Sequence, residues 1–210
     1  MSGSVLLVLV IGVGLCSLGA AVWAGRRRAR ERLARREAFE REHGLSASDQ
    51  PAELGSRYLA SGTVRGVPVT IESERTRRAR GAGYVTRVRG TAGTDLGQLV
   101  VLRRTMQAHD QSVGSGLPEQ ALDDPAFDRA FRTLCTGPDE ARAILTAQRR
   151  GLLLSQLGPM RFGVSSLELG SNEVVYTMAW TLCFGMQPEL RDAVEAALGL
   201  VTDLCQTTSR

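Results

Sequence analysis

The pattern of apolar and polar positions begins with an uninterrupted apolar run. Residues 5–24 contain no charged side chain, and the four residues before them contain none either. A helix rises about 1.5 Å per residue, so this run spans roughly 30 Å, the thickness of the hydrocarbon core of a bilayer. A cleaved signal peptide carries positive charge ahead of its apolar run. The pattern therefore predicts an uncleaved transmembrane helix over residues 1–25, with a signal peptide as the alternative.

Charge is concentrated directly behind this run. Residues 26–42 carry eight Arg against four Glu, a net +4 that equals the net charge of the whole chain. The flank richer in basic residues stays in the cytoplasm, so we expect a single-pass protein of the bacterial inner membrane with its N-terminus outside and its C-terminal domain in the cytoplasm. The arginines nearest the expected membrane interface are Arg26, Arg27, Arg28 and Arg30. A nucleic-acid-binding protein spreads its positive charge over a binding face, so the sequence excludes nucleic acid as a partner.

The segment that follows the apolar run is rich in charged pairs and has no broad apolar face. Arg27 and Glu31 stand four residues apart, a spacing that stabilises a solvated helix. Gly44 is a typical stop signal. We expect a charged helical stalk over residues 26–44 and, because Ser, Asp and Pro follow, a linker over residues 45–57.

Alternation of apolar and polar residues starts after the linker. Val67, Val69 and Ile71 alternate with polar neighbours, and the preceding Arg65-Gly66 pair suits a tight hairpin turn. The same signals predict strands at 58–64, 67–72, 84–89, 99–102, 161–169 and 173–180.

Helical spacing marks the end of the chain. Leu190, Val194, Leu198 and Val201 form a stripe on one face of a helix that begins at Pro188. Shorter helices are predicted at 138–145 and 148–157. An amphipathic helix that covers an apolar face of antiparallel strands makes an α+β domain, and a pleckstrin-homology-like barrel is one arrangement of this kind.

The β-rich part, residues 58–210, has the size of one domain. Its three cysteines, Cys135, Cys183 and Cys205, form no C-x-x-C pair. An odd number of widely spaced cysteines favours a reducing compartment over a disulfide framework. This agrees with the cytosolic placement of the domain.

Catalytic motifs are missing from the sequence. It has two histidines, His43 and His109, and lacks H-E-x-x-H, paired cysteine ligands and G-x-S-x-G. The sequence therefore predicts no cofactor and no catalytic residue.

One tight group of carboxylates, Asp123, Asp124 and Asp128, admits two interpretations. Such a group can hold a divalent cation or perform acid–base chemistry, which would make the protein a metal-assisted enzyme. Asp124 followed by Pro125 is also the signature of a helix start, with Asp as the N-cap. We favour the structural interpretation, in which Phe127 and Phe131, four residues apart, anchor the short helical turn in the core, and keep the enzyme as the alternative.

A second cluster of basic residues falls in the loop expected between the second and third predicted strands. Its members are Arg75, Arg77, Arg78 and Arg80. Such a loop can meet anionic lipid headgroups or a protein partner. A solvated charged loop is the alternative.

Two rows of small residues lie along the apolar run, and such rows allow two helices to approach closely. The rows are Gly12, Cys16, Ala20 and Ala24, and Ser17, Ala21 and Gly25. They predict a homo-oligomer, or an accessory subunit of a membrane complex, formed through the transmembrane helix. The alternative is that small residues are simply common in such helices.

Two short segments carry a resemblance to a known group of proteins. Residues 124–131 read Asp-Pro-Ala-Phe-Asp-Arg-Ala-Phe and residues 139–146 read Asp-Glu-Ala-Arg-Ala-Ile-Leu-Thr. They resemble a family of uncharacterised bacterial membrane proteins of unknown function, which share acidic-x-x-Phe-x-x-x-Phe followed by acidic-Ala-Arg-x-x-Leu-Thr. The resemblance implies a membrane setting and a β-rich cytosolic domain. The sequence as a whole predicts a membrane-anchored protein whose non-catalytic domain binds a protein partner or the bilayer surface.

Overall fold

The computed structural model describes residues 3–53, 55–78, 81–104, 116–157, 164–179, 182–183 and 185–207. Within them the chain forms five helices and nine strands. The helices are α1 (Gly3–Glu42), α2 (Pro125–Ala130), α3 (Pro138–Ile144), α4 (Ala147–Ser155) and α5 (Pro188–Thr207). The strands are β1 (Leu45–Ala52), β2 (Gly55–Val64), β3 (Val67–Arg78), β4 (Gly81–Thr91), β5 (Leu99–Arg103), β6 (Glu119–Gln120), β7 (Phe131–Cys135), β8 (Val164–Gly170) and β9 (Glu173–Met178). The predicted α+β class is confirmed.

All nine strands belong to one antiparallel sheet with the order β1-β2-β3-β4-β9-β8-β5-β7-β6. The order is linear, and β1 and β6 are its two edges. The sheet is therefore open, and the pleckstrin-homology-like barrel is not formed. The two predicted hairpins are present: Val64 pairs with Val67 across Arg65-Gly66, and Gly170 pairs with Glu173.

The core lies between one face of the sheet and the helices. Alternate strand residues, such as Ile71, Val88 and Tyr176, are buried beneath α5, which itself buries ten residues. Close approach of α5 requires a glycine on β4, because a Cβ at Gly90 would lie 2.5 Å from Cγ1 of Val201. The predicted closing helix is confirmed.

The predicted linker is wrong. Residues 45–52 form β1, which pairs with β2 over eight positions from Leu45–Gly62 to Ala52–Gly55. The error has a physical reason: β1 is polar and mostly exposed, so it lacks the apolar alternation by which strands are recognised. Backbone pairing with β2, the ion pair of Asp49 with Arg36 of α1 and the buried Leu45 side chain hold it in place.

The predicted transmembrane helix is also wrong. The predicted inner-membrane placement, with the N-terminus outside and the domain in the cytoplasm, is corrected together with it. Among the residues that the structure describes, no helix is long and apolar enough to cross a membrane. The apolar run belongs to α1, a single helix of 40 residues that continues unbroken through the arginine-rich segment to Glu42. The end of this helix is not a solvated stalk either, because Arg36 and Phe39 are buried against the domain.

Candidate functional site

The densest polar arrangement lies where α1 meets the sheet, and we call it the α1 junction: Arg36, Glu40, Asp49, Tyr58 and the carbonyl of Leu182. Arg36 retains only 8% of its surface exposed. Its Nη1 and Nη2 donate to the two carboxylate oxygens of Asp49 on β1 at 3.1 and 2.8 Å. Nη1 also donates to the Leu182 carbonyl at 3.2 Å. A bidentate guanidinium–carboxylate pair fixes both distance and orientation, so it holds α1 against β1.

Tyr58 on β2 is the sheet residue of the α1 junction that contacts both Arg36 and Glu40. The guanidinium carbon of Arg36 lies 4.8 Å from the centre of the Tyr58 ring, within cation–π range. The Tyr58 hydroxyl donates to Oε1 of Glu40 at 2.9 Å. Burial, followed by the charge of Glu40, raises the pKa of Tyr58, so this hydroxyl stays a neutral donor. Burial opposes the charge on Arg36, but the hydrogen bond and charge of Asp49 outweigh it, and the pKa of Arg36 is raised.

The connection between β9 and α5 lies under the same helix. Oγ of Ser73 accepts from the Leu182 amide at 2.8 Å and from the Thr86 hydroxyl at 2.9 Å. The Met186 amide donates to the Arg32 carbonyl at 3.0 Å. At Gly185 (φ +85°) a Cβ would lie 2.7 Å from the carbonyl carbon of Arg32, so only glycine permits this approach. The end of α1 is thus an integral part of the domain.

Sequence reasoning missed the α1 junction. The available signal was that Arg36, Phe39 and Glu40 share one helix face. Nothing in the sequence marks Asp49 or Leu182 as their partners, because these lie 13 and 146 residues from Arg36.

The segment of α1 ahead of the junction contrasts with it, and we call residues 20–33 the α1 arm. Most side chains of the arm are exposed, including the large apolar ones, Trp23 at 64%, Val22 at 49% and Leu33 at 39%. Arg27 lies 5.7 Å from the centre of the Trp23 ring and donates to Glu31 at 3.0 Å. The arginines expected at a membrane interface, Arg26, Arg27, Arg28 and Arg30, are all exposed along this arm.

Asp124 and Asp128 of the acidic group make hydrogen bonds and an ion pair that stabilise the local structure. Oδ1 of Asp124 accepts from the Phe127 amide at 3.2 Å, and Oδ2 accepts from Nε of Arg150 at 2.9 Å. The Asp128 carboxylate accepts from the Leu122 amide at 3.2 Å. The predicted cap of α2 by Asp124 is confirmed.

Asp123, the remaining member of the acidic group, points elsewhere, forming an ion pair with Arg142. The three carboxylates therefore have separate partners instead of converging on one ion. In the part of the chain that the structure describes, no three His, Cys, Asp or Glu residues are grouped so as to hold a metal.

Acid should weaken the cap in a predictable way. Arg150, and then the Phe127 amide, lower the pKa of Asp124 below its ordinary 3.8. A lowered pKa contributes stability that is present above the ordinary value and is lost as the pH falls through the lowered one. We expect Asp124→Ala to reduce the free energy of unfolding by about 1 kcal/mol at pH 7 and by less in strong acid.

Urea titrations at pH 7 and at successive values below 3.8 measure this dependence. Asp124→Asn is the matched control, since asparagine also caps a helix but cannot lose a charge. It should remove the acid-dependent part and keep the cap. An equal loss at every pH in the alanine variant would show that the ion pair with Arg150 contributes nothing.

The predicted basic loop is mostly strand, because β3 runs to Arg78 and β4 starts at Gly81. Arg75 pairs with Tyr84 across these strands, and its guanidinium carbon lies 5.9 Å from the ring centre. Arg77 and Arg78 occupy the last paired positions of β3. Arg80 lies outside the described residues.

The face of the sheet opposite α5 is a ladder of cross-strand ion pairs beside a small apolar cluster. The pairs are Arg57–Glu72, Glu74–Arg87 and Arg89–Glu173, at 2.7, 2.9 and 3.2 Å. The cluster consists of Val100, Leu102 and Leu134 with Leu117 against them. Charges on this face are matched in pairs, which suits a structural surface better than a reactive one.

Cavities of 370, 300 and 200 Å³ open on the described surface. The 370 Å³ cavity lies between the β2–β3 turn and the end of α5, with Val67, Pro68, Ala92 and Cys205 in its wall. Burial raises the pKa of Cys205 to about 11, so its sulfur remains a thiol at neutral pH. The residues that line this cavity include no carboxylate and no imidazole to act as a base.

Comparison with known proteins shows a likeness of fold. No protein-family model and no curated protein matches the chain. The structure is similar to the crystal structure of the mycobacterial trehalose monomycolate transport factor A, TtfA, with a TM-score of 0.54 and 13% identity. The match covers 81% of this chain and 92% of TtfA. At this level of identity the likeness shows a shared fold alone.

Proposed function

We propose that this protein is a non-catalytic interaction protein whose domain presents the α1 arm to a partner protein. One observation carries the proposal. At the α1 junction Arg36 and the neighbouring Phe39 are almost fully buried, while Trp23 and Val22, roughly four turns earlier on the same helix, remain exposed. The fold thus fixes one end of the helix and leaves the large apolar side chains of the α1 arm exposed.

The chemistry of the described residues supports binding over catalysis. Each carboxylate of the acidic group is engaged by a backbone amide or an arginine, as Asp124 is by Phe127 and Arg150. The thiol of Cys205 has a raised pKa, and the cavity beside it offers no base. A metal-assisted enzyme built on Asp123, Asp124 and Asp128 is the weaker alternative.

A pre-ordered helix is an efficient binding element. A partner that receives the arm does not have to order it, so less free energy is lost on association. A few large side chains supply most of the binding free energy at protein contacts, and Trp and Arg are among the residues that contribute most. Trp23, with Arg27 against its ring, has this composition.

The class of partner that we propose is a component of a transport system. The protein with the similar fold is named a transport factor. An accessory factor of a transport system works by binding and needs no catalytic residue, which agrees with the chemistry of the described sites.

Site-specific photocrosslinking in cells tests the proposal. A benzophenone amino acid in place of Trp23 should give an adduct with one protein of defined mass, identified by mass spectrometry. The same amino acid in place of Ser61, which is exposed on β2, is the control and should not give that adduct. With the crosslinker at Val22, Trp23→Ser should reduce the adduct at least tenfold. Equal labelling at positions 23 and 61, or labelling of lipid alone, would contradict the proposal.

A further inference from the structure

The edge strand β1 is exposed in an unusual way. It pairs with β2 over eight residues without a bulge, and within the described chain no other strand pairs with it. Residues 46–51 are all exposed, so no described helix or loop covers the outer edge of the strand. Among the described residues, no strand pairs with the backbone donors and acceptors on the outer edge of β1.

Natural sheets protect such edges by short strands, charged side chains, proline or bulges. The opposite edge follows this rule, since β6 has two residues and one of them is Glu119. The one charged residue of β1, Asp49, forms an ion pair with Arg36. The one proline of β1, Pro51, lies near the end of the strand. The middle of the strand is thus open to pairing.

We infer that β1 pairs antiparallel with β1 of a second copy of this chain, with a two-fold axis at Ser48. The residues then opposite each other are Ser48 and Ser48, Ala47 and Asp49, Ser46 and Gln50, and Leu45 and Pro51. No two like charges are opposed, and Pro51 falls at the end of the ladder. An axis at Asp49 would instead oppose two carboxylates, which destabilises a cross-strand pair.

The side chains of β1 favour a second copy over an unrelated peptide. Peptides that add to a sheet edge gain specificity from pockets for their alternate side chains. None of the three cavities described above is lined by a residue of β1. Ser46, Ser48 and Gln50 are short or uncharged, so they accept a self-complementary strand without clash.

The pairing has a consequence for the α1 helices. A two-fold axis between antiparallel edge strands stands perpendicular to the joined sheet, so the inner faces of both copies lie on the same side. Because Arg36 fastens α1 to Asp49 of β1, the two α1 helices also lie on that side. The dimer would join two nine-stranded sheets into one.

The first test measures the mass of the full chain in solution by light scattering. The wild-type protein should have the mass of two chains. Ser48→Lys places two positive charges opposite each other at the axis and should shift the dissociation constant at least tenfold toward monomer. Ser61→Lys, an exposed change on the neighbouring strand, is the control and should leave the dimer intact. A monomeric wild type, or a dimer that Ser48→Lys does not weaken, would overturn the inference.

The second test locates the axis. In a Cys16→Ala background, Ser48→Cys should form a disulfide between two copies under mild oxidation, because directly opposite residues bring their Cβ atoms to roughly 5 Å. Ser61→Cys should not crosslink. A dimer that crosslinks equally at both positions, or only at position 61, would show that another surface joins the copies.

Discussion

A chain that ends at Gly185 should not fold. This truncation removes α5, which buries ten residues against the sheet, including Leu190, Val194, Leu198 and Val201. Leaving a large apolar side chain exposed costs roughly 2 kcal/mol, and the exposed sheet face adds to that cost. Domains of this size have a free energy of unfolding of about 5–15 kcal/mol, so the loss of stability is larger than the whole stability of the fold. Circular dichroism and limited proteolysis measure the result, and a protease-resistant chain ending at Gly185 would contradict the role of α5.

A single substitution tests the same packing more finely. Gly90→Ala would place a Cβ 2.5 Å from Cγ1 of Val201 and 3.0 Å from Sγ of Cys205, and such overpacking costs about 1–3 kcal/mol. Adding Val201→Ala should restore part of the loss. Gly151→Ala is the matched control, because Gly151 lies on α4 with nothing within 4 Å of a new Cβ. There alanine should stabilise the helix by about 0.5–1 kcal/mol, so the two glycines should respond with opposite sign.

Phe127→Ala and Phe131→Ala should each reduce the free energy of unfolding by about 3–5 kcal/mol. The two side chains are 0% and 1% exposed, and their ring centroids lie 4.8 Å apart in the core. Asp128→Asn is the control within the same segment. It keeps an acceptor for the Leu122 amide and should cost less than 1 kcal/mol.

Thermal melts of these variants with and without millimolar Mg²⁺, Mn²⁺ or Ca²⁺ separate the structural role from a metal site. If the segment is a core anchor, the cations leave the melting temperature of every variant unchanged. A metal-dependent rise that disappears in Asp128→Asn would contradict the proposal of a non-catalytic protein and support the enzyme.

The segment that carries Phe127 and Phe131 shows where a local sequence pattern stops being informative. Phe127 and Phe131 stand four apart, which suggested that both lie on one helical turn. In the structure Asp124 caps a helix that ends at Ala130, and Phe131 has the extended backbone of the first residue of β7 (φ −125°, ψ 155°). Both rings still reach the same core, so the spacing indicated burial correctly while the secondary structure of Phe131 was decided by pairing with Arg103 on β5.

The sequence by itself determined the class of the fold and those helices and strands whose apolar residues recur at helical or strand spacing. The alternation around Val69 and Ile71 and the stripe of α5 each mark which side chains are removed from water. Arg65-Gly66, with positive φ at both residues, marks the turn between two strands. Burial of apolar surface is the largest favourable term in folding, so a pattern that predicts burial also predicts the element.

The helices and strands that are held in place by polar contacts could be identified only from the tertiary structure. β1 exists because β2 supplies its backbone partners, and α1 is fixed because Arg36 reaches Asp49 and the carbonyl of Leu182, which is 146 residues away. The prediction that the apolar run spans a membrane is likewise corrected, because no helix among the described residues is long and apolar enough to do so. Hydrogen bonds and ion pairs depend on distance and direction between groups remote in the chain, so they leave no period in the sequence.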